Sequence, residues 1–149
     1  MTKWDDRWMN RAADYASWSK DPSSKIGAVA VDPIRKLELV GGYNGFPRNI
    51  SDSIERYVHK ETKYKLIVHA EMNVVANAAY HGISLNGAHL YVYGLPVCSD
   101  CAKVLINTGI TKVFMKYPST INSKWTISAI DTYAMFEEAN IQVELMNDL

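Results

Sequence analysis

The sequence predicts an α/β fold, a sheet covered by helices, read as one domain over residues 1–149. Three observations predict it. Two short apolar runs near the start are joined by a turn, and helix-like and strand-like segments alternate through the later half. The composition, 48% apolar and 21% charged, is that of a globular chain long enough for a sizeable core.

Trp4, Trp8, Ala12, Tyr15 and Trp18 recur near helical spacing, so the chain opens with an amphipathic helix whose aromatic stripe belongs to the core. Ser19 to Ser24 form a loop, because Pro22 and its polar neighbours stop a helix. Residues 26–31 make a short buried strand, Asp32-Pro33 turns the chain, and 37–43 return as an antiparallel partner. Residues 44–65 are polar, carry Gly45 and Pro47, and are expected as a long loop of the kind that serves function. A helix over 68–80 stops at Gly82, and a strand follows over 88–93. Residues 98–108 form a helix closed by Gly109, 112–116 a strand, 124–139 a helix and 141–146 a last strand.

Sixteen basic and sixteen acidic side chains leave no net charge. That balance argues against a nucleic-acid partner, which needs a basic face, but leaves room for a small anion. No apolar run approaches the roughly 20 residues needed to cross a bilayer. Asp5 and Asp6 stand where a secretory leader would be apolar, so a cytoplasmic protein with no membrane partner is expected. The two cysteines, Cys98 and Cys101, sit as C-x-x-C and do not suggest a disulfide scaffold.

The chemistry gathers at two helix starts, His69-Ala70-Glu71 and Cys98-Ser99-Asp100-Cys101. One imidazole and two thiolates can hold a single Zn2+ and leave a fourth position for water. A helix N-terminus favours the thiolates, since its unpaired N–H groups stabilise negative charge. H-x-E followed by C-x-x-C is the pattern of zinc deaminases, in which zinc lowers the pKa of a water and a non-ligand glutamate moves protons as the water's oxygen attacks a pyrimidine carbon. Here Glu71 would be that catalytic group, with His69, Cys98 and Cys101 the ligands. Each motif alone has a plainer reading. H-x-E is common, and C-x-x-C also suits a redox pair or half of a closed structural zinc site, for which His59, His81 and His89 remain as further ligands. The two motifs together, each opening a helix, favour the deaminase site.

Further segments extend the pattern. Ser19-Lys20-Asp21-Pro22-Ser23, Ile26-Gly27-Ala28-Val29, Gly42-Tyr43-Asn44-Gly45-Phe46-Pro47, Lys63-Tyr64, His69-Ala70-Glu71-Met72-Asn73 and Cys101-Ala102-Lys103 resemble, in order, motifs of the deoxycytidylate (dCMP) deaminase family. The resemblance runs from Ser19 to about Tyr117. It implies a three-layer α/β/α fold around a five-stranded mixed sheet, one catalytic zinc per chain, and hydrolysis of dCMP to dUMP. It implies that Asn44 contacts the sugar and that the backbone of Ala70 holds the pyrimidine carbonyl. Ser24, Lys25 and Tyr117 are then the expected phosphate contacts. In one departure, Val97 stands between Pro96 and Cys98, lengthening the loop before the first cysteine and reshaping the pocket wall.

The resemblance also implies a homohexamer regulated by deoxynucleoside triphosphates, with dCTP activating and dTTP inhibiting. The effector would bind the segment after the second strand, at Gly42, Tyr43, Gly45, Arg48, Asp52, Arg56, His59 and Lys60, with Mg2+ held beside Asp52 and Glu55. Two other readings stay open at this point: a deaminase of dCTP or free cytidine, and a zinc-stabilised binding module without catalysis. Glu71 separates the last of these, because a structural site has no use for it.

Overall fold

A computed structural model describes residues 1–121 and 123–146. It has six helices and five strands: α1 Lys3–Ser17, β1 Gly27–Asp32, β2 Leu37–Tyr43, α2 Ile54–Val58, α3 Lys60–Leu66, α4 Ala70–His81, β3 His89–Tyr93, α5 Ser99–Asn107, β4 Lys112–Lys116, α6 Ser123–Glu138 and β5 Gln142–Leu145.

The strands form one mixed sheet in the order β2-β1-β3-β4-β5. β1 runs antiparallel to both β2 and β3. β3, β4 and β5 are parallel, so α5 and α6 serve as the crossovers that parallel pairing requires. Strand alternation sorts the core into two faces. Val29, Val31, Tyr91 and Phe114 pack with Met9 and Ala12 of α1. Ala28, Ala30, Leu90, Val92, Val113 and Met115 pack on the other side with Val74 of α4, Leu105 of α5 and Phe136 of α6. The result is the three-layer α/β/α arrangement with a five-stranded mixed sheet.

Local chemistry explains the element ends. Thr2 and Asp5 form a reciprocal capping box that starts α1. Gly27 and Gly42 allow helices to lie directly on strands. A Cβ on Gly27 would fall 1.9 Å from the Ala12 carbonyl oxygen, and one on Gly42 would fall 3.0 Å from the Val74 nitrogen. Gly42 thus lets β2 carry α4 at close range, which places the start of α4.

The segment 44–65 corrects the expectation of a long loop. It contains α2 and α3, joined at His59, which is the C-cap of one and the N-cap of the other. The His59 ring accepts from the Thr62 amide and so starts α3. Helices of five and seven residues are too short to show helical periodicity in a polar sequence. Tyr57 anchors the pair by stacking on Phe46, ring centroids 4.2 Å apart. Helices α4 and α5 each begin later than expected, so that His69 and Cys98 are N-cap residues with extended backbone. No helix among the described residues is long and apolar enough to cross a membrane.

Candidate active site

β3 ends at Tyr93 and its loop delivers Cys98 to the start of α5, on the sheet face where α4 also begins. Because His69 and Cys98 lie outside the helical repeat, their side chains turn back across the two helix ends. His69 Nδ1 lies 3.3 Å from Cys101 Sγ and 3.4 Å from Cys98 Sγ. The three donor atoms all lie within 4.8 Å of one another. This donor set suits zinc. A tetrahedral ion with Zn–S of about 2.3 Å and Zn–N of about 2.0 Å separates sulfur from nitrogen by roughly 3.5 Å.

The electrostatics are those of a cation site waiting for charge. A hydrogen bond from the Cys101 thiol outweighs burial and holds the Cys98 thiol well below its ordinary range, with His69 adding to the effect. Cys101, which keeps the shared proton and is buried, is pushed up. The hydrogen bond to Cys98 raises His69 against the opposing effect of burial, and the Glu71 charge adds to the rise. The Cys98 sulfur also accepts from the Cys101 amide at 3.4 Å, an N-cap bond made by a thiolate.

Beside this group opens a cavity of about 690 Å³. His69, Ala70, Glu71 and Cys98 line one end. Glu71 is only 3% exposed, and burial pushes its carboxyl up to about 7 against the lowering effect of His69. A carboxyl near neutrality can both take and give protons at physiological pH. Trp125 borders the same cavity, its ring 6.1 Å from that of His69 at 62°.

The other sequence-derived positions divide. Ser24, Asn44 and Ala70 border the cavity. Ala70 is the first helical residue of α4, where the backbone N–H has no intrahelical acceptor. The Asn44 side chain is already engaged: its Oδ1 accepts from the Ile26 amide at 2.9 Å and its Nδ2 donates to the Ser24 carbonyl at 2.8 Å. Lys25 borders a smaller neighbouring cavity of about 310 Å³, and its ammonium donates to the Ser19 carbonyl. Tyr117 borders neither cavity; its hydroxyl lies 2.9 Å from that of Tyr133.

None of Gly42, Tyr43, Gly45, Arg48, Asp52, Arg56 and His59 borders either cavity. Arg48 donates to the Asn77 side chain, Arg56 to the Ser51 carbonyl, and Asp52 pairs with Lys20 at 3.0 Å. These residues do not converge on one pocket. Lys60, placed with that set in the sequence, borders the main cavity instead.

Sequence reasoning missed Lys124, Trp125 and the roles of Lys63 and Tyr64, all of which border the cavity. Lys63-Tyr64 was visible as a motif without a role, whereas nothing near Trp125 signals a site. The extra residue Val97 turns into the core, fully buried. Its N–H meets Met115 Sδ at 3.3 Å and its carbonyl accepts from the Thr132 hydroxyl at 2.8 Å. Leu95 and Pro96 are left as the cavity wall.

Comparison with known proteins places this arrangement among relatives. The sequence profile of the cytidine and deoxycytidylate deaminase zinc-binding region matches residues 2–117. A probable deoxycytidylate deaminase of Drosophila melanogaster is 38% identical over 74% of the chain; the match spans 57% of that protein, just over half its length. The deoxycytidylate deaminase of Mus musculus is 33% identical over 85% of the chain and 72% of its own. The crystal structure of dCMP deaminase from the cyanophage S-TIM5, in complex with dCMP and dUMP, superposes with a TM-score of 0.80 at 22% identity, covering 98% of this chain and 99% of that one. That likeness shows a shared fold.

Proposed function

We propose that this chain, which belongs to the cytidine and deoxycytidylate deaminase family, converts dCMP and water to dUMP and ammonia. The observation that carries the proposal is the placement of a buried carboxyl, Glu71, at the cavity end where His69, Cys98 and Cys101 converge. A non-catalytic zinc module would gain nothing from burying that carboxyl, which costs free energy unless the group is used.

His69, Cys98 and Cys101 would hold one zinc ion per chain. When bound, zinc lowers the pKa of a water to about 7 and so provides a nucleophile at neutral pH. Glu71 then does the proton work. Its carboxylate takes one proton from the attacking water and delivers it to the pyrimidine N3, then takes the second from the hydroxyl now on C4 and delivers it to the amine leaving C4. The Ala70 backbone, at the open first turn of α4, is placed to donate to the pyrimidine carbonyl. Trp125 walls the base side of the cavity and helps exclude bulk water.

A nucleotide extending from this end meets Lys60 and Lys124 on the cavity border. Neither forms an ion pair among the described residues. Lys124 lies over the Tyr64 ring at 4.5 Å, a contact it can exchange for a phosphate. These two cations replace Lys25 and Tyr117 as the phosphate contacts in our reading. Ser24 stays on the cavity wall beside them. Asn44 shapes the sugar end through the backbone it holds.

The same reading includes a homohexamer activated by dCTP and inhibited by dTTP, with Mg2+ on the triphosphate. Support comes from the resemblance of the Gly42–Pro47 motif and from the arginines after it, Arg48, which is exposed, and Arg56, which is half-buried. Gly45 exchanges backbone hydrogen bonds with Val68, next to His69, so order in that segment reaches the site. The reading places the enzyme in the cytoplasm, where a metal-binding thiol pair stays reduced.

A panel of deoxycytidine, dCMP, dCTP, CMP and cytidine tests the substrate. The highest kcat/KM is expected for dCMP. Equal values for dCMP and cytidine would move the chain to the free-nucleoside branch of the family.

A further inference from the structure

Two motifs far apart in sequence, Ser19-Lys20-Asp21-Pro22-Ser23 and Lys63-Tyr64, meet at the wall of the cavity. Asp21 is fully buried and Lys63 is 8% exposed, and their charged atoms lie 2.7 Å apart. The Asp21 carboxylate also accepts from the Ser23 amide at 2.9 Å, the Ser23 hydroxyl at 3.0 Å, the Ser24 amide at 3.3 Å and Asn44 Nδ2 at 3.4 Å. Lys63 donates a second bond to the Ser23 hydroxyl at 3.0 Å. Asn44 extends the network to the Ser24 carbonyl and the Ile26 amide. Every backbone group held in this way belongs to the strip 23–26, which forms one wall of the cavity.

The opposite end of the ion pair lies on α3, which borders the same cavity through Lys60, Lys63 and Tyr64, with its C-cap Ile67. α3 is one short helix in a polar segment, and seven residues cannot hold a helix in place by propensity alone. Its attachment to the body must come from tertiary contacts. Lys63 supplies one across the cavity wall; the Gly45–Val68 bridge supplies another at its end.

We propose that Asp21 and Lys63 are positioning residues whose buried ion pair sets the distance between the 23–26 strip and α3, and with it the width of the nucleotide cavity. The inference rests on the deaminase reading for its substrate but not for its geometry. Lys63 lies against a carboxylate of equal and opposite charge, so the pair attracts an anion weakly. Its work is to hold Lys60 and Tyr64 on one side, and Ser24 and Ile26 on the other, at a fixed separation. The reacting end of the cavity, built on α4 and α5, is carried by the sheet and does not depend on the pair.

The test compares Lys63→Met, Asp21→Asn, Lys63→Arg and the double variant Asp21→Asn/Lys63→Met in the zinc-loaded protein. Both single neutralisations should raise KM for dCMP about tenfold, within the range of measured couplings between neighbouring groups, while kcat stays within about threefold. kcat/KM for deoxycytidine should fall by the same factor, because a loosened wall affects both substrates. Lys63→Arg should recover most of the loss. Amide hydrogen exchange should quicken in 60–66 and 23–26 and stay unchanged in α4 and α5. A different pattern identifies a direct phosphate contact and overturns the proposal: Lys63→Met impairs only dCMP, and Asp21→Asn, by freeing a cation, lowers KM. Folded variants with wild-type KM also overturn it, as does a joint fall in kcat and zinc content. Where a single variant fails to fold, the double variant, which leaves no unpaired buried charge, is expected to show the same KM and exchange changes; wild-type values there overturn the proposal. A wild-type protein that makes no dUMP defeats the deaminase reading, while hydrogen exchange still decides the positioning role.

Discussion

Replacing Glu71 by glutamine changes one oxygen for an NH₂ group and nothing in size. Glu71 is 3% exposed, so the new amide stays where the carboxyl was. What is lost is a group that titrates near the working pH, since burial pushes this carboxyl up to about 7. Loss of one general acid–base group costs roughly a hundredfold to ten-thousandfold. At about 1.4 kcal/mol per decade that is about 3–5 kcal/mol of barrier. Glu71 carries two protons in succession in the proposed reaction, so Glu71→Gln belongs at or beyond the upper end. The assay follows loss of dCMP absorbance, with zinc content and dCMP binding measured on the same preparation. Zinc and dCMP should still bind while kcat falls at least a thousandfold. A variant within tenfold of wild type would refute the assignment of proton transfer to Glu71. The sign of the pH dependence follows from the same group. Glu71 must begin as a carboxylate, so activity is lost as pH falls through its pKa. A bound dication draws that pKa below about 7, which puts the acid limb of wild-type kcat/KM on the acid side of neutrality.

Cys98→Ala and His69→Ala should each abolish stoichiometric zinc, read by elemental analysis, and lower the melting temperature, because metal binding couples to folding. Full zinc occupancy in either would remove that residue from the ligand set. Lys124→Ala should raise KM for dCMP about tenfold and leave kcat/KM for deoxycytidine unchanged, as measured by steady-state kinetics; equal losses on both would assign Lys124 to the cavity wall rather than to phosphate. Thr132→Val removes the donor to the buried Val97 carbonyl. That leaves an unsatisfied acceptor worth about 1–3 kcal/mol, a drop of roughly 3–10 °C in melting temperature by calorimetry.

The parts of the molecule that were legible in the sequence are those with a local signal. The strand 112–116 was bounded by polar residues and read at its observed limits. β2 was legible for the same reason. His69 and Cys98 were legible because each stands at a helix start, where residue type and chain direction are coupled. Their displacement to the N-cap was not, since one residue of offset leaves the apolar periodicity unchanged. Helices α2 and α3 escaped because five and seven polar residues complete too few turns for an apolar stripe. The Asp21–Lys63 pair joins distant segments, and neither residue alone distinguishes a buried ion pair from a solvated loop charge. Lys124 and Trp125 reach the cavity only because α6 returns past α5 on the same face of the sheet. The partners of Lys25 and Tyr117 were not legible either: Lys25 donates to the Ser19 carbonyl, and the Tyr117 hydroxyl meets that of Tyr133.

Turnover of dCMP in ¹⁸O-labelled water by the zinc-loaded protein tests the central claim most directly. Mass spectrometry of the product and enzymatic measurement of ammonia read it out. Hydrolytic deamination predicts dUMP carrying one ¹⁸O at C4 and one ammonia per dUMP. Folded, zinc-loaded protein that leaves dCMP intact, or releases dUMP without the label, would contradict it.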